Sequence, residues 1–248
     1  MDIRKILEDL CSFCGPSGFE KEVSEYAVSL MRPMMDESYV DRFGNAVGIL
    51  RCGKPDVKRL LFVAHLDEIG LIATGTEDGF IHFTTIGGVD PRMLPNRELT
   101  IMTDPPIFGL VACLPPHVLS AEEMDQSIPV SDLFIDAGLS AQEAEKKIPI
   151  GTPITFRGDC FALGEDLFCG KSLDDRSCFV ALLKMVELLK GKEIEADICV
   201  LGSTREELNS GGAAVAAFSM KPDACIAVDV THAETPDGGP KNGECNLG

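Results

Sequence analysis

The chain has 248 residues, 45% of them apolar and 25% charged, which is enough apolar material for one large core or two smaller ones and argues against a disordered polymer. Its 22 Lys and Arg against 40 Asp and Glu leave a formal net charge of −18, so phosphate backbones are repelled and nucleic acid is a poor partner. The charged opening MDIRKILEDL lacks the apolar centre of an export signal, and no run reaches the ~20 apolar residues of a membrane span; a soluble cytoplasmic protein is expected.

From the N-terminus, the stripe Ile3, Ile6, Leu7, Leu10 predicts a helix ending at Gly15-Pro16. Cys11 and Cys14 form a lone CxxC on the continuation of that stripe. A zinc ribbon needs a second close pair and a redox motif normally follows a strand, so helix packing is the favoured reading. The ten cysteines as a set read as free thiols, many of them within apolar runs. A second helix is expected behind the turn Pro16-Ser17-Gly18, on Val23, Tyr26, Ala27 and Leu30. A hairpin follows over 39–50 around Gly44-Asn45, then a buried strand, Leu60 to Ala64, that delivers His65 to its C-terminal end.

From Gly70 to Phe168 the character changes. Short strand-like runs (71–74, 80–83, 99–102, 108–112, 154–156) alternate with Gly and Pro turns, the pattern of a small β-barrel. Afterwards Phe179, Val180, Leu182, Leu183, Val186 and Leu189 mark an amphipathic helix, and the runs Ile198 to Leu201 and Cys225 to Val230 flank a shorter one near 212–218. The expected fold is therefore α/β: a mixed, mainly parallel sheet flanked by helices in residues 1–69 and 169–248, with an inserted small β-barrel domain at 70–168.

Four places put acidic residues or a histidine just past a predicted strand, where open α/β sheets gather their ligands: His65 with Asp67, Asp174 with Asp175, Glu206 with Glu207, and Asp229. Histidine with carboxylates suits Zn, Mn or Co, and two such ions sharing a carboxylate form a hydrolytic centre. Each place also has a structural explanation. His65 could be a plain strand-end histidine. An N-capping aspartate accounts for at least one of Asp174 and Asp175, and for that pair capping is favoured. Glu206 and Glu207 suit a helix N-terminus, although two adjacent like charges after a buried strand favour a cation. Asp229 interrupts an apolar run and calls for a metal or a hydrogen-bond network. Of the other histidines, His82 and His117 read as structural, and His232 stays open.

Taken together, Gly15-Pro16-Ser17-Gly18-Phe19-Glu20, Ala64-His65-Leu66-Asp67-Glu68-Ile69-Gly70, Ile86-Gly87-Gly88-Val89-Asp90-Pro91-Arg92, Leu173-Asp174-Asp175-Arg176, Arg205-Glu206-Glu207 and Asp229-Val230-Thr231-His232-Ala233 resemble the M42 metallo-aminopeptidases. That family includes glutamyl and leucyl aminopeptidases of the tetrahedral type, and some members have carried an endoglucanase label. The resemblance implies two divalent metal ions, Zn or Co foremost, with His65 and Asp229 on one, Asp174 bridging both and Glu207 on the other. It further implies that Asp67 orients His65, that Glu206 is the general base, that short peptides are the substrates, and that the barrel mediates dimers and assembly to homo-oligomers as large as dodecamers.

Two departures stand out. Arg205 replaces the family's usual glutamine, and Leu208-Asn209-Ser210-Gly211-Gly212 replaces its Val-Gly-Leu-Arg-Gly. The resemblance also places a last ligand histidine, in an Arg-Tyr-x-His-x-Pro segment, well beyond Gly248, so a truncated or incomplete chain is expected. The alternative reading is a catalytically impaired assembly or peptide-binding subunit of the same fold. A glycosidase cleft is usually rich in aromatics, and zero Trp with two Tyr argue against one.

Overall fold

The computed structural model describes residues 1–118, 120 and 128–231. Helix α1 (Ile3–Ser12) starts at Asp2, whose side chain accepts from the Lys5 amide at 3.1 Å, and it buries Leu7, Leu10 and Cys11. It stops short of Gly15-Pro16, so Cys14 lies beyond the helix and not on its stripe. Two carbonyls at its end have a side-chain partner: the fully buried Arg176 donates to Leu10 O at 2.7 Å and to Phe13 O at 2.9 Å. Helix α2 (Lys21–Met31) buries Val23, Ala27, Val28 and Met31.

The central sheet has the order β1-β2-β12-β3-β13, with β1 (Glu37–Val40), β2 (Ala46–Leu50), β3 (Lys58–His65), β12 (Ala196–Ser203) and β13 (Ala224–Ala227). β1 and β2 form the expected hairpin and β2 runs antiparallel to β12, while β12 and β13 flank β3 in parallel. β12 is buried along nearly its whole length, as its apolar run requires. Helices α1 and α2 share one core with the helix at 173–189, through Leu10, Met31, Phe179, Leu183 and Val200. All four residues of β13 are exposed, and among the described residues it is the last strand on its side.

Six antiparallel strands close a barrel in the order β4-β5-β8-β7-β6-β9: β4 (Gly70–Glu77), β5 (Phe80–Ile86), β6 (Glu98–Ile101), β7 (Ile107–Ala112), β8 (Phe134–Asp136) and β9 (Pro153–Phe156). Its interior holds Leu71, Ile81, Leu99, Ile101, Val111, Ile135 and Ile154. Sequence periodicity misses the three-residue β8 and helix α3 (Ala141–Lys147), which carries a full capping box between Ser140 and Glu143. The barrel strands end at Phe156. A separate two-stranded hairpin, β10 (Phe161–Leu163) and β11 (Leu167–Cys169), fills the next stretch, and its exposed apolar residues carry no burial pattern to read.

Helix α4 (Leu173–Leu189) follows, then α5 (Glu206–Asn209) and α6 (Gly211–Met220). No described helix is long and apolar enough to cross a membrane. The nine described cysteines are free.

Candidate metal centre

Register decides which side chains meet. β12 and β3 end side by side at Ser203 and His65, so residues 66–68 and 204–207 leave the sheet together. β13 stops opposite Val63 and brings Asp229 to the same end. The first residues of α4 are non-helical, Asp174 at φ −77°, ψ 109° and Asp175 at φ −117°, ψ 24°, and no side chain caps the helix. The capping reading of this pair is therefore corrected: the backbone turns both carboxylates toward His65.

His65 is the hub. Its Nε2 lies 3.0 Å from Asp174 Oδ1 and 3.8 Å from Glu206 Oε2, while its main-chain N–H donates to Asp175 Oδ2 at 3.2 Å. Two triads place their ligand atoms within 4.8 Å of one another: His65, Asp174 and Glu207, and His65, Asp175 and Asp229. The candidates His65, Asp174, Glu207 and Asp229 thus converge, with Glu206 beside them. Asp175 joins them without having been singled out as a ligand; a buried aspartate in an Asp-Asp pair looks no different in sequence from a cap. His82 pairs instead with Glu77 on the barrel, and His232 lies outside the described residues.

Electrostatics show what the cluster lacks. Burial, with Asp229 adding to it, pushes Asp175 up to about 6, and burial, reinforced by Asp174, Asp67 and Glu206, pushes Glu207 up to about 7. Burial alone would lower the His65 pKa, but Asp67, Asp175, Asp174 and Glu206 outweigh it and raise it. Asp175 Oδ1 is buried with no protein partner. One imidazole among this many carboxylates is a donor set short of positive charge, and it suits a divalent ion of the Zn, Mn or Co type.

Both turns that present these carboxylates pass through left-handed backbone at a residue other than glycine, Ser172 at φ 61° and Arg205 at φ 58°. Each is clamped by a buried glutamate. Glu68 accepts from the Ser172 hydroxyl and from Lys171 at 2.8 Å, and also from Gly15 N at 2.9 Å and Thr155 Oγ1 at 3.0 Å. Glu20 accepts from Arg205 N at 2.9 Å and Gly18 N at 2.8 Å. Asp67, fully buried, divides its oxygens between the Glu206 and Glu207 amides at 3.0 and 3.1 Å and also takes the Ser17 hydroxyl. Its main-chain carbonyl, 3.1 Å from His65 Nδ1, sits nearer the ring than its carboxylate at 3.6 Å.

The sequence profile of the M42 glutamyl aminopeptidase family matches residues 44–248. The chain belongs to this family. Lysyl aminopeptidase from Pyrococcus furiosus is 33% identical over 242 residues, which cover 95% of this chain and 67% of that protein. An aminopeptidase from the archaeon Desulfurococcus kamchatkensis superposes with a TM-score of 0.90 at 30% identity, covering 99% of this chain and 68% of that one. The Pyrococcus horikoshii TET1 peptidase, which can assemble into a tetrahedron or a large octahedral shell, superposes with a TM-score of 0.84 at 30% identity, covering 95% and 71%. The chain spans about two thirds of the curated relatives it matches, from 63% to 72% of their lengths.

In this M42 chain the Arg205 departure is absorbed locally. The guanidinium stacks on Phe43 with its carbon 4.7 Å from the ring centroid, and the main-chain amide still reaches Glu20, so the two glutamates that follow keep their hold on Asp67.

Proposed function

We propose that this chain carries the active-site portion of a metal-dependent aminopeptidase that removes the N-terminal residue of short peptides. The carrying observation is the convergence of two carboxylate triads on His65 with Glu206 Oε2 only 3.8 Å from its Nε2. His65 and Asp229, joined by Asp175, would hold one divalent ion, Glu207 the other, and Asp174 the position between them. Bound there, the ions would supply Lewis-acid polarisation of the scissile carbonyl and make water acidic enough to lose a proton near neutral pH.

The protein's own groups do the rest. Glu206, partly open to solvent, takes the proton of the attacking water on a carboxylate oxygen and returns it to the departing amine. Asp67 keeps Glu206 and Glu207 in fixed relation by holding both amides. The cluster's excess carboxylates favour a substrate bearing a free, protonated N-terminus, which matches removal of terminal residues over internal cleavage. A cleft of about 590 Å³ adjoins the cluster between barrel and sheet, lined by Asp174, Glu207, Ile69, Met93, Phe156 and Phe161, and its size suits a short peptide. On the same reading residues 1–69 and 169–248 form the catalytic body, and the inserted unit at 70–168 mediates subunit association.

The test is elemental analysis of metal per protomer, with chromogenic aminoacyl substrates in the presence of Zn or Co. Turnover abolished by a chelator, and by Glu206→Gln with metal content retained, supports the reading. Metal bound without turnover on any substrate would move the chain to a peptide-binding or assembly role.

A further inference from the structure

Packing does not hold Asp174 in place. Its side chain is 59% exposed, and among the described residues its hydrogen-bond partner is His65, 3.0 Å away. Where its carboxylate points is therefore set by the backbone that carries it, which enters α4 from Ser172 through non-helical residues. Ser172 stands at φ 61°, a conformation that a serine keeps only where its surroundings impose it. Here one carboxylate does so: Glu68 Oε2 accepts from the Ser172 hydroxyl and, at 2.8 Å, from the Lys171 ammonium.

Glu68 is itself fixed from two directions. On the side of the sheet, its main-chain N–H donates to Gly15 O at 3.1 Å, its carbonyl accepts from Ser17 N at 3.2 Å, and its Oε1 accepts from Gly15 N at 2.9 Å. On the side of the barrel, the same Oε1 accepts from Thr155 Oγ1 at 3.0 Å, and Thr155 is a buried residue of β9. The two sides press together at Gly70, the first residue of β4, where a Cβ would stand 2.8 Å from Pro16 Cβ and 2.9 Å from the Ile154 carbonyl oxygen. Backbone contact this close leaves the barrel little freedom to shift against the loop that holds Glu68.

We propose that Thr155, Glu68 and Ser172 are positioning residues that set Asp174 from the barrel. Thr155 orients the Glu68 carboxylate, Glu68 holds the Ser172 hydroxyl, and Ser172 fixes the turn that aims Asp174 at the metal position. The inference rests on the reading of Asp174 as a metal ligand. It gives the barrel a part in building the centre that is separate from any part in subunit association, because the seating of β9 reaches Asp174 through three side chains.

The experiment titrates the chelator-treated full chain with Zn by calorimetry, and records the visible spectrum of the Co-loaded protein and the melting temperature beside it. Ser172→Ala and Ser172→Gly both remove the hydroxyl, so both should weaken Zn binding by about 10–100-fold and change the Co spectrum, although glycine suits φ 61° and should melt above the alanine variant. Thr155→Val should weaken binding by a smaller factor, and Thr155→Ser, which keeps a hydroxyl, should retain the parent's affinity. Thr152→Val removes a barrel hydroxyl bonded to Pro149 O instead of Glu68 and should leave Zn binding unchanged. Zn affinity that falls in step with melting temperature across the set, or that is the same in the Ser172 variants as in the parent, overturns the relay and leaves the metal centre standing. A parent chain that binds neither Zn nor Co overturns the relay together with the reading of Asp174 beneath it.

Discussion

Asp67→Asn is the substitution that most directly probes how the centre is built. The carboxylate accepts the Glu206 amide on one oxygen at 3.0 Å and the Glu207 amide on the other at 3.1 Å. An asparagine of the same shape offers one acceptor, so its NH2 must face one of those N–H groups, donor against donor, in a position with no solvent access. An unpaired buried donor together with the lost charge assistance costs about 3 kcal/mol. For a chain of this size that lowers the melting temperature by about 6–12 °C. Loosening the Glu206–Glu207 turn should also weaken metal binding by about 10–100-fold, as losing an outer support of a metal ligand typically does. Scanning calorimetry of the metal-free protein and calorimetric titration with Zn measure the two effects. A variant that melts with the parent and binds Zn equally well would refute the supporting role assigned to Asp67.

Three further outcomes follow from the same geometry. Glu68→Gln leaves Lys171 and Arg176 without their buried counter-charge and should destabilise by about 3–5 kcal/mol in guanidinium unfolding; a shift within the scatter of surface variants would show the ion pairs to be dispensable. Gly212→Ala drives a methyl group into the Thr204 backbone and the Asn45 side chain, which accepts from Thr204 and donates to the Gly212 carbonyl, and should cost about 1–3 kcal/mol; unchanged stability would mean that this joint yields freely. The metal-free chain should lose stability as pH rises. Asp175 at about 6 and Glu207 at about 7 hold protons in the folded state that the unfolded chain releases near 3.8 and 4.5, and the raised His65 acts in the same direction. The sign reverses in the acid range, where Glu68, held low by Arg176 and Lys171 despite its burial, loses its charge. Chelator-treated protein whose unfolding midpoint climbs between about pH 5 and pH 7 would contradict this.

Much of this architecture can be read from the chain because apolar runs announce strands and strand ends announce sites. The run 60–64 marks β3, and His65 follows from it; the run 198–201 marks β12 and puts Glu206 and Glu207 at its exit. What pattern does not reveal is which loop touches which. Glu20 and Arg205 lie 185 positions apart, and Asp67 and Glu206 139 apart; the parallel register of β3 with β12 makes neighbours of the second pair, and the bridge between Pro16 and Glu68 carries the Glu20 loop to the same place. The pair Asp174 and Asp175 reads as a helix cap for a related reason. Helical preferences explain two acidic residues before an apolar helix, whereas the backbone there is not helical at all. In the β10–β11 hairpin only Phe168, which lies under Arg4, is half-buried and every other residue is exposed, so there is no alternation of buried and open positions for sequence to display.

The outer flank of β13 bears on how the chain behaves in solution. Among the described residues β13 is hydrogen-bonded on one side only, which leaves a row of amides and carbonyls facing outward, and Ile226 within it and Val230 just after it are exposed apolar residues. An edge of this kind is where a further strand, from this chain or another, would pair. The opposing influence is the −18 charge, which keeps copies apart only while it is unscreened. Salt shrinks its reach to ~10 Å at 0.1 M and ~3 Å at 1 M, so any pairing of copies along this edge is set by the buffer as much as by the fold.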